Sequence, residues 1–385
     1  MKNALHFGAG KIGRGFIGPL LSQAGYDVCF ADANRLLVEE INRRQRYVVH
    51  ILDTVCEDVV IRHVSAVAVG DADVIRHIVE ADLITTAVSM GVLPGIAPVL
   101  AAGLKARCAA GVTKPLNIIA CENGVRATSR LKAFVHESLD GRTIAWSEGV
   151  VGFADSSVDR IVPPVSFPEP LDVAAEAFHE WNVERAALAG EPPRIEGMHL
   201  TDTLEAHIER KLYTLNTGHC AAAYLGRMKH CVTIAEALAD ERIFELVKQV
   251  MWQSGEVLIR KFGFGRAAHA AYIDSVLRRF RNPALKDTVA RVGRDPIRKL
   301  SAPLYFSCPI AMAVAYGLPV DKLALAAAAA LHFDEPSDPQ CGRIRTTLAG
   351  CGVRETFRRF TGLEDEAVLD QLVRAYDMVG SVVNG

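Results

Sequence analysis

The stretch Ala4-Leu5-His6-Phe7-Gly8-Ala9-Gly10-Lys11-Ile12-Gly13 decides the fold. A short apolar run reads as a strand, three glycines form a turn, and helical periodicity follows from Phe16 to Ala24. In such a turn the first glycine, Gly8, permits the tight bend. The second, Gly10, lets backbone approach a pyrophosphate, and the third, Gly13, lets the helix pack on the strand. The helix N-terminus then offers free N–H groups and partial positive charge to phosphates. Gly8, Ala9, Gly10, Lys11, Ile12 and Gly13 are therefore candidates for binding a dinucleotide. No Gly-Lys-Ser/Thr follows at the needed spacing, so the segment is not a P-loop.

Working outward, the next strand, Val28-Cys-Phe-Ala31, ends in Asp32, 19 residues after Gly13. A carboxylate there holds ribose hydroxyls and repels a 2′-phosphate, which favours NAD over NADP, although Arg35 nearby counts the other way. The alternative is that the glycines only make a turn and Asp32 caps the next helix. Ala4 to Phe7, Asp27 to Ala31, Ala66 to Val69, Leu83 to Ala87 and Asn117 to Ala120 read as strands, with helices such as Leu36 to Arg44 between them. This alternation predicts a doubly wound, mostly parallel sheet. Ligands of such sheets bind beyond the carboxyl ends of the strands. That brings Ala87 and Val88 to the cofactor, with Asn123 of Cys121-Glu-Asn-Gly124. Asn123 can donate an amide hydrogen bond there or close an Asx turn with Gly124. Thr143 to Trp146 and Val158 to Val162 read as further β-like runs, and the Pro-containing stretch from Val162 to Pro170 as neither helix nor central strand.

Gly190-Glu-Pro-Pro-Arg194 is a turn-rich break. We expect a Rossmann-like α/β domain over 1–191 and a mostly helical domain over 192–385. Leu204 to Leu225, Ile234 to Lys261, Ala268 to Phe280 and Val320 to Phe333 carry helical patterns. Within the first of these lie Lys211, Asn216 and His219. At ~100° per residue, Asn216 falls about 140° and His219 about 80° around the axis from Lys211, on one broad face. A lysine with a lowered pKa can withdraw the proton of a carbinol during hydride loss. An amide such as Asn216 stabilises the developing oxyanion, and His219 can orient a neighbouring hydroxyl. The alternative is a solvated lysine with Asn and His satisfied locally. Gly218 beside them suggests that something approaches the backbone closely.

The bulk properties narrow the field. The chain has 385 residues, half of them apolar, and a formal net charge of −2. That balance favours neither nucleic acid nor an anionic membrane. The longest apolar run, Leu323 to Leu331, is far short of the ~20 residues of a bilayer span. The chain starts Met1-Lys2-Asn3 and runs straight into a strand, without a signal peptide. Nine cysteines without a C-x-x-C pair fit reduced thiols in the cytoplasm and argue against a cysteine zinc site. No H-E-x-x-H occurs. A phosphorylated substrate would need a basic cluster, and Arg294, Arg298 and Lys299 lie within six residues. An ordinary solvated turn reads the same way.

The spacing K-x-x-x-x-N-x-x-H, as Lys211, Asn216 and His219, resembles the signature of the polyol-specific long-chain dehydrogenases. Gly8-Ala-Gly-Lys-Ile-Gly-Arg-Gly15, Ala120-Cys-Glu-Asn-Gly124, Val158-Asp-Arg-Ile-Val-Pro163 and Glu209 to His219 are each similar to members that interconvert mannitol 1-phosphate and fructose 6-phosphate. The resemblance covers nearly the whole chain. It implies metal-independent, NAD-linked hydride transfer with Lys211 as general acid/base. Asn123 and Asn216 would polarise the reacting oxygen, and His219 and Asp159 would contact substrate hydroxyls. It implies a hexitol phosphate or ketohexose phosphate as the small-molecule partner, and family members are often monomers. Arg294-Asp-Pro-Ile-Arg-Lys-Leu-Ser301 fits the family's later substrate segment. The following Ala302-Pro-Leu-Tyr-Phe-Ser-Cys308 departs from the polar, basic run expected there.

Overall fold

A computed structural model describes residues 2–53, 56–301 and 305–384, in two units, Met1–His207 and Ile208–Gly385. The first holds strands β1 (Lys2–Phe7), β2 (Tyr26–Asp32), β3 (Arg46–Leu52), β4 (Glu57–Arg62), β5 (Val64–Ala68) and β6 (Leu83–Thr86). β7 (Leu116–Ala120), β8 (Val151–Phe153), β9 (Ser156–Asp159), β10 (Val173–Glu176), β11 (Glu180–Glu184) and β12 (Met198–Thr201) follow. Six of them form a wholly parallel sheet in the order β5-β2-β1-β6-β7-β8. That is the doubly wound arrangement, with its reversal of strand order between β1 and β6. Each face is covered by its own apolar layer. Val28, Phe30 and Ile119 lie in one, and Leu5, Phe7, Ile84 and Ile118 in the other. Strands buried on both faces read as continuous apolar runs, which is why the sequence announces them.

Two smaller sheets, β10-β3-β4 and β12-β11-β9, sit outside that pattern. Two expectations need correction. Thr143 to Trp146 is not a strand but part of the helix Gly141–Val150, whose N-cap Asp140 accepts a 2.8 Å bond from Thr143 N. A four-residue apolar run does not distinguish the two, and the cap decides. The run from Val158 is a strand only as far as Asp159, and Val162 to Pro170 is without helix or strand.

The second unit is helical. The expected helix from Ile234 to Lys261 is two, Ile234–Ala237 and Glu241–Phe262. Asp240 caps the second, accepting from Arg242 N and Ile243 N, and Gly263 closes it at φ +71°. The alanine-rich helix Asp321–Leu331 is buried at every residue from Leu323 to Leu331. Its small side chains let Thr217–Met228 and Glu366–Asn384 pack directly against it. No helix among the described residues is long and apolar enough to cross a membrane.

Candidate active site

The glycine turn is built as its spacing requires. Gly8 leaves β1 at φ +101°, and its N–H donates to Ala31 O at 2.8 Å. A Cβ on Gly8 would lie 2.5 Å from Ala87 O, and one on Gly13 would lie 2.0 Å from Gly8 O. Gly10 is exposed, with open space where its Cβ would be. The turn thus has two closed positions that fix its shape and one open position that a pyrophosphate can approach. Beyond it, Gly13–Ile17 forms a π turn, closed by Gly18 N on Gly13 O. Ala9 N donates to Asp32 Oδ2 at 2.7 Å, and Asn34 N donates to Asp32 Oδ1 at 2.8 Å. The cap of the next helix is Asn34, not Asp32. Arg35 pairs with Asp71 at 2.7 Å on the surface. The Lys11 ammonium donates to Val165 O at 2.9 Å, and Ile12 is exposed.

Sequence reading missed Arg14. It is buried under the turn, where NH1 donates to Ala9 O and Nε donates to Leu171 O at 2.9 Å. Burial pulls its pKa below the usual arginine value. It also missed Glu122, a buried carboxylate at the carboxyl end of β7. Glu122 accepts from Thr86 Oγ1 (2.7 Å), Val88 N (2.9 Å) and Ser89 N (2.7 Å). It therefore ties the Ala87–Ser89 loop, in which Ser89 stands at φ +86°, to the segment bearing Asn123. Gly124 does not stand at positive φ. It is small because Met90 Sδ would lie 2.5 Å from an added Cβ. Asn123 is exposed, and Asp159 is buried at the end of β9 opposite Glu180.

In the second unit the lysine segment departs from the expected geometry. Lys211–Asn216 is a π turn, continued by the helix Thr217–Met228. Thr217 N bonds to Leu212 O, five residues back. At roughly 80° per residue in such a turn, Asn216 falls about 50° around the axis from Lys211 instead of about 140°. The π turn makes the lysine–asparagine alignment tighter than an α-helix allows. Asn216 Nδ2 is buried and has no hydrogen-bond partner among the described residues. Gly218 is explained by packing, because an added Cβ would lie 2.5 Å from Met251 Cγ.

His219 stacks on Phe280, with ring centroids 4.3 Å apart and planes at 14°. Its Nε2 lies 2.8 Å from Oδ2 of the buried Asp287. Asp287 also accepts from Arg291 Nε at 2.9 Å. Burial works to raise the pKa of Asp287, but His219 and Arg291 more than offset it and hold the carboxyl below its usual range. Neither Phe280 nor Asp287 carries a signal in the sequence, since both are 60 or more residues from His219.

The expected basic cluster is not assembled as a unit. Arg294 and Arg298 are exposed and share Asp295, at 3.7 and 3.9 Å. Lys299 is buried, and its ammonium donates to Val292 O and lies 6.0 Å from the Tyr224 ring. Of the divergent segment, 302–304 lie outside the described residues. Among the described residues, no three His, Cys, Asp or Glu side chains gather as a cation site requires.

A Rossmann unit followed by a helical unit bearing a lysine–asparagine–histidine set is the plan of a dinucleotide-linked alcohol dehydrogenase. Family models agree: the mannitol dehydrogenase Rossmann domain matches residues 2–197 and the mannitol dehydrogenase C-terminal domain matches 203–376. The chain belongs to the mannitol dehydrogenase family and is a polyol dehydrogenase, with NAD as the cofactor that its Rossmann unit and Asp32 fit. Its fold is similar to a substrate-free D-sorbitol dehydrogenase, at 18% identity and TM-score 0.84, covering 99% of this chain and 94% of that one. It is likewise similar to Pseudomonas fluorescens mannitol 2-dehydrogenase in a ternary complex with NAD and D-mannitol. There the identity is 18%, the TM-score 0.78, and the coverage 99% and 93%.

Proposed function

We propose that the chain interconverts D-mannitol 1-phosphate and D-fructose 6-phosphate. Residues 1–191 bind NAD through Gly8 to Gly13, Asp32, Ala87, Val88 and Asn123. Residues 192–385 supply the base and further substrate contacts. When bound, NAD accepts the hydride of the carbinol carbon. The Lys211 amine takes the hydroxyl proton as a metal-independent base, and the amides of Asn216 and Asn123 donate to the same oxygen as charge develops on it. His219, steadied by Asp287 and Phe280, and Asp159 bind neighbouring hydroxyls. Arg294 and Arg298 meet the phosphate.

The observation that carries this reading is the buried Asn216 Nδ2, without a partner among the described residues, on the same π turn as Lys211. A buried donor without an acceptor is costly, and a substrate oxygen would satisfy it. The test is reduction of fructose 6-phosphate by NADH at several pH values. Lys211→Met should lower turnover by about 10³-fold or more while NADH still binds. Near-normal turnover rejects the mechanism, and loss of activity with a strong chelator rejects metal independence.

A second reading, oxidation of an unphosphorylated polyol such as mannitol, is favoured by the basic segment itself. Lys299 is occupied by Val292 O, and the two arginines lean on Asp295. The ratio of rates on mannitol 1-phosphate and mannitol separates the two.

A further inference from the structure

A π turn is one residue wider than the α-helix around it and has poorer hydrogen-bond geometry, so surrounding contacts must hold it open. Those around Lys211–Asn216 are specific. The Thr217 side chain is fully buried, and its single hydroxyl proton faces two carbonyls, Tyr305 O at 2.7 Å and Leu212 O at 3.1 Å. The shorter contact makes Tyr305 O the main acceptor. Within the turn, the Tyr213 hydroxyl donates to Cys308 Sγ at 3.0 Å. Thr214 Oγ1 lies 3.3 Å from Nε2 of the buried His269.

Two of these three grips come from one short segment, Tyr305 to Cys308. That segment is anchored in turn, because Ser307 Oγ donates to Leu300 O. The stretch that departs from the expected polar, basic run thus meets the lysine-bearing turn from outside it, 88 residues away at Thr217–Tyr305.

We infer that Thr217, together with Tyr305–Cys308, is the positioning element that keeps Lys211 and Asn216 in π register. Without it the turn relaxes toward α geometry, and Asn216 swings from about 50° to about 140° around the axis from Lys211. The inference deepens the proposed function, since its effect on rate rests on Lys211 as the base. Thr217 touches no reacting atom and acts only through the turn.

Three variants test it. Thr217→Val removes the hydroxyl at nearly constant volume, Thr217→Ser restores it, and Tyr213→Phe removes the second grip. Misplacement of a base by about an ångström costs on the order of 100-fold in rate. Thr217→Val should therefore lower kcat by about that factor, leave the NADH dissociation constant within about 2-fold, and move the pH profile of kcat/KM. Thr217→Ser should recover most of the loss, and Tyr213→Phe should give a smaller one. Hydrogen exchange at residues 213–217 should quicken in Thr217→Val, a readout independent of turnover. Wild-type kcat and exchange in Thr217→Val would overturn the inference. So would a Ser variant as impaired as Val, which would make Thr217 a packing residue. If Lys211→Met keeps its turnover, the base assignment falls, and the exchange measurement still decides whether Thr217 holds the turn.

Discussion

Glu122→Gln is a near-isosteric change with a calculable effect. The carboxylate accepts three donors, two on Oε1 and one, Ser89 N, on Oε2. An amide can keep the Oε1 pair, but it then turns an NH2 group toward the Ser89 N–H, donor against donor. A lost hydrogen bond to a charged group costs ~1.5–3 kcal/mol, and an unsatisfied donor adds to that. Ser89 already stands at φ +86°, a conformation that a non-glycine residue holds only when contacts impose it. We expect a loss of about 2–3 kcal/mol, or roughly 4–10 °C in melting temperature for a unit of this size. Since the freed loop carries Ala87 and Val88, NADH binding should weaken by about 10-fold or more. Thermal melts and NADH fluorescence titration measure both. An unchanged melting temperature with unchanged NADH affinity would refute the role given to this carboxylate.

Gly13→Ala would place a methyl 2.0 Å from Gly8 O and 2.9 Å from His6 Nε2. It should cost ~3 kcal/mol or more and abolish NADH binding, as seen by melting and titration. His6 and His269 are held neutral by burial, with pKa lowered from 6.5 to about 3 and about 4. The unfolded chain therefore binds more protons below pH 6.5. Stability should fall as the pH is lowered from about 6.5 toward 4, each histidine contributing on the order of 3 kcal/mol, and His6→Gln should flatten the slope. A pH-independent melt over that range contradicts this. Arg298→Ala should lower the preference for mannitol 1-phosphate over mannitol. Lys299→Met should cost stability but leave that ratio alone, and comparing the two ratios of kcat/KM checks it.

Five of the six strands of the central sheet were legible because they are apolar on both faces, whereas the three-residue β8 was not read. β1, β2, β5, β6 and β7 all lie within a residue or two of the runs that predict them. β3 and β4 were not read, although Tyr47 and Val49 alternate inward. A hairpin hung between the second and third parallel strands is not implied by the doubly wound pattern. The π turn was beyond reach. Lys211-Leu-Tyr-Thr-Leu-Asn216 contains nothing local that selects i→i+5 bonding, and the groups gripping it lie far along the chain. Lys299 read as one of three cations of a phosphate cluster or a solvated turn, because closeness in sequence does not reveal that its ammonium is buried on Val292 O beside the Tyr224 ring. Glu122 and Asp287 were invisible as site residues for the same reason: burial and donors from other segments define them.

Asp32 spends both carboxylate oxygens on main-chain donors, one in the glycine turn and one ahead of the next helix. The side chain we propose to select between the two nicotinamide dinucleotides is therefore also a structural clasp. Replacing it to admit a 2′-phosphate would unfasten the loop that cradles the ligand, so re-engineering of coenzyme choice has to begin elsewhere. Arg35 is the neighbour to recruit, by releasing it from Asp71, while the clasp is left in place.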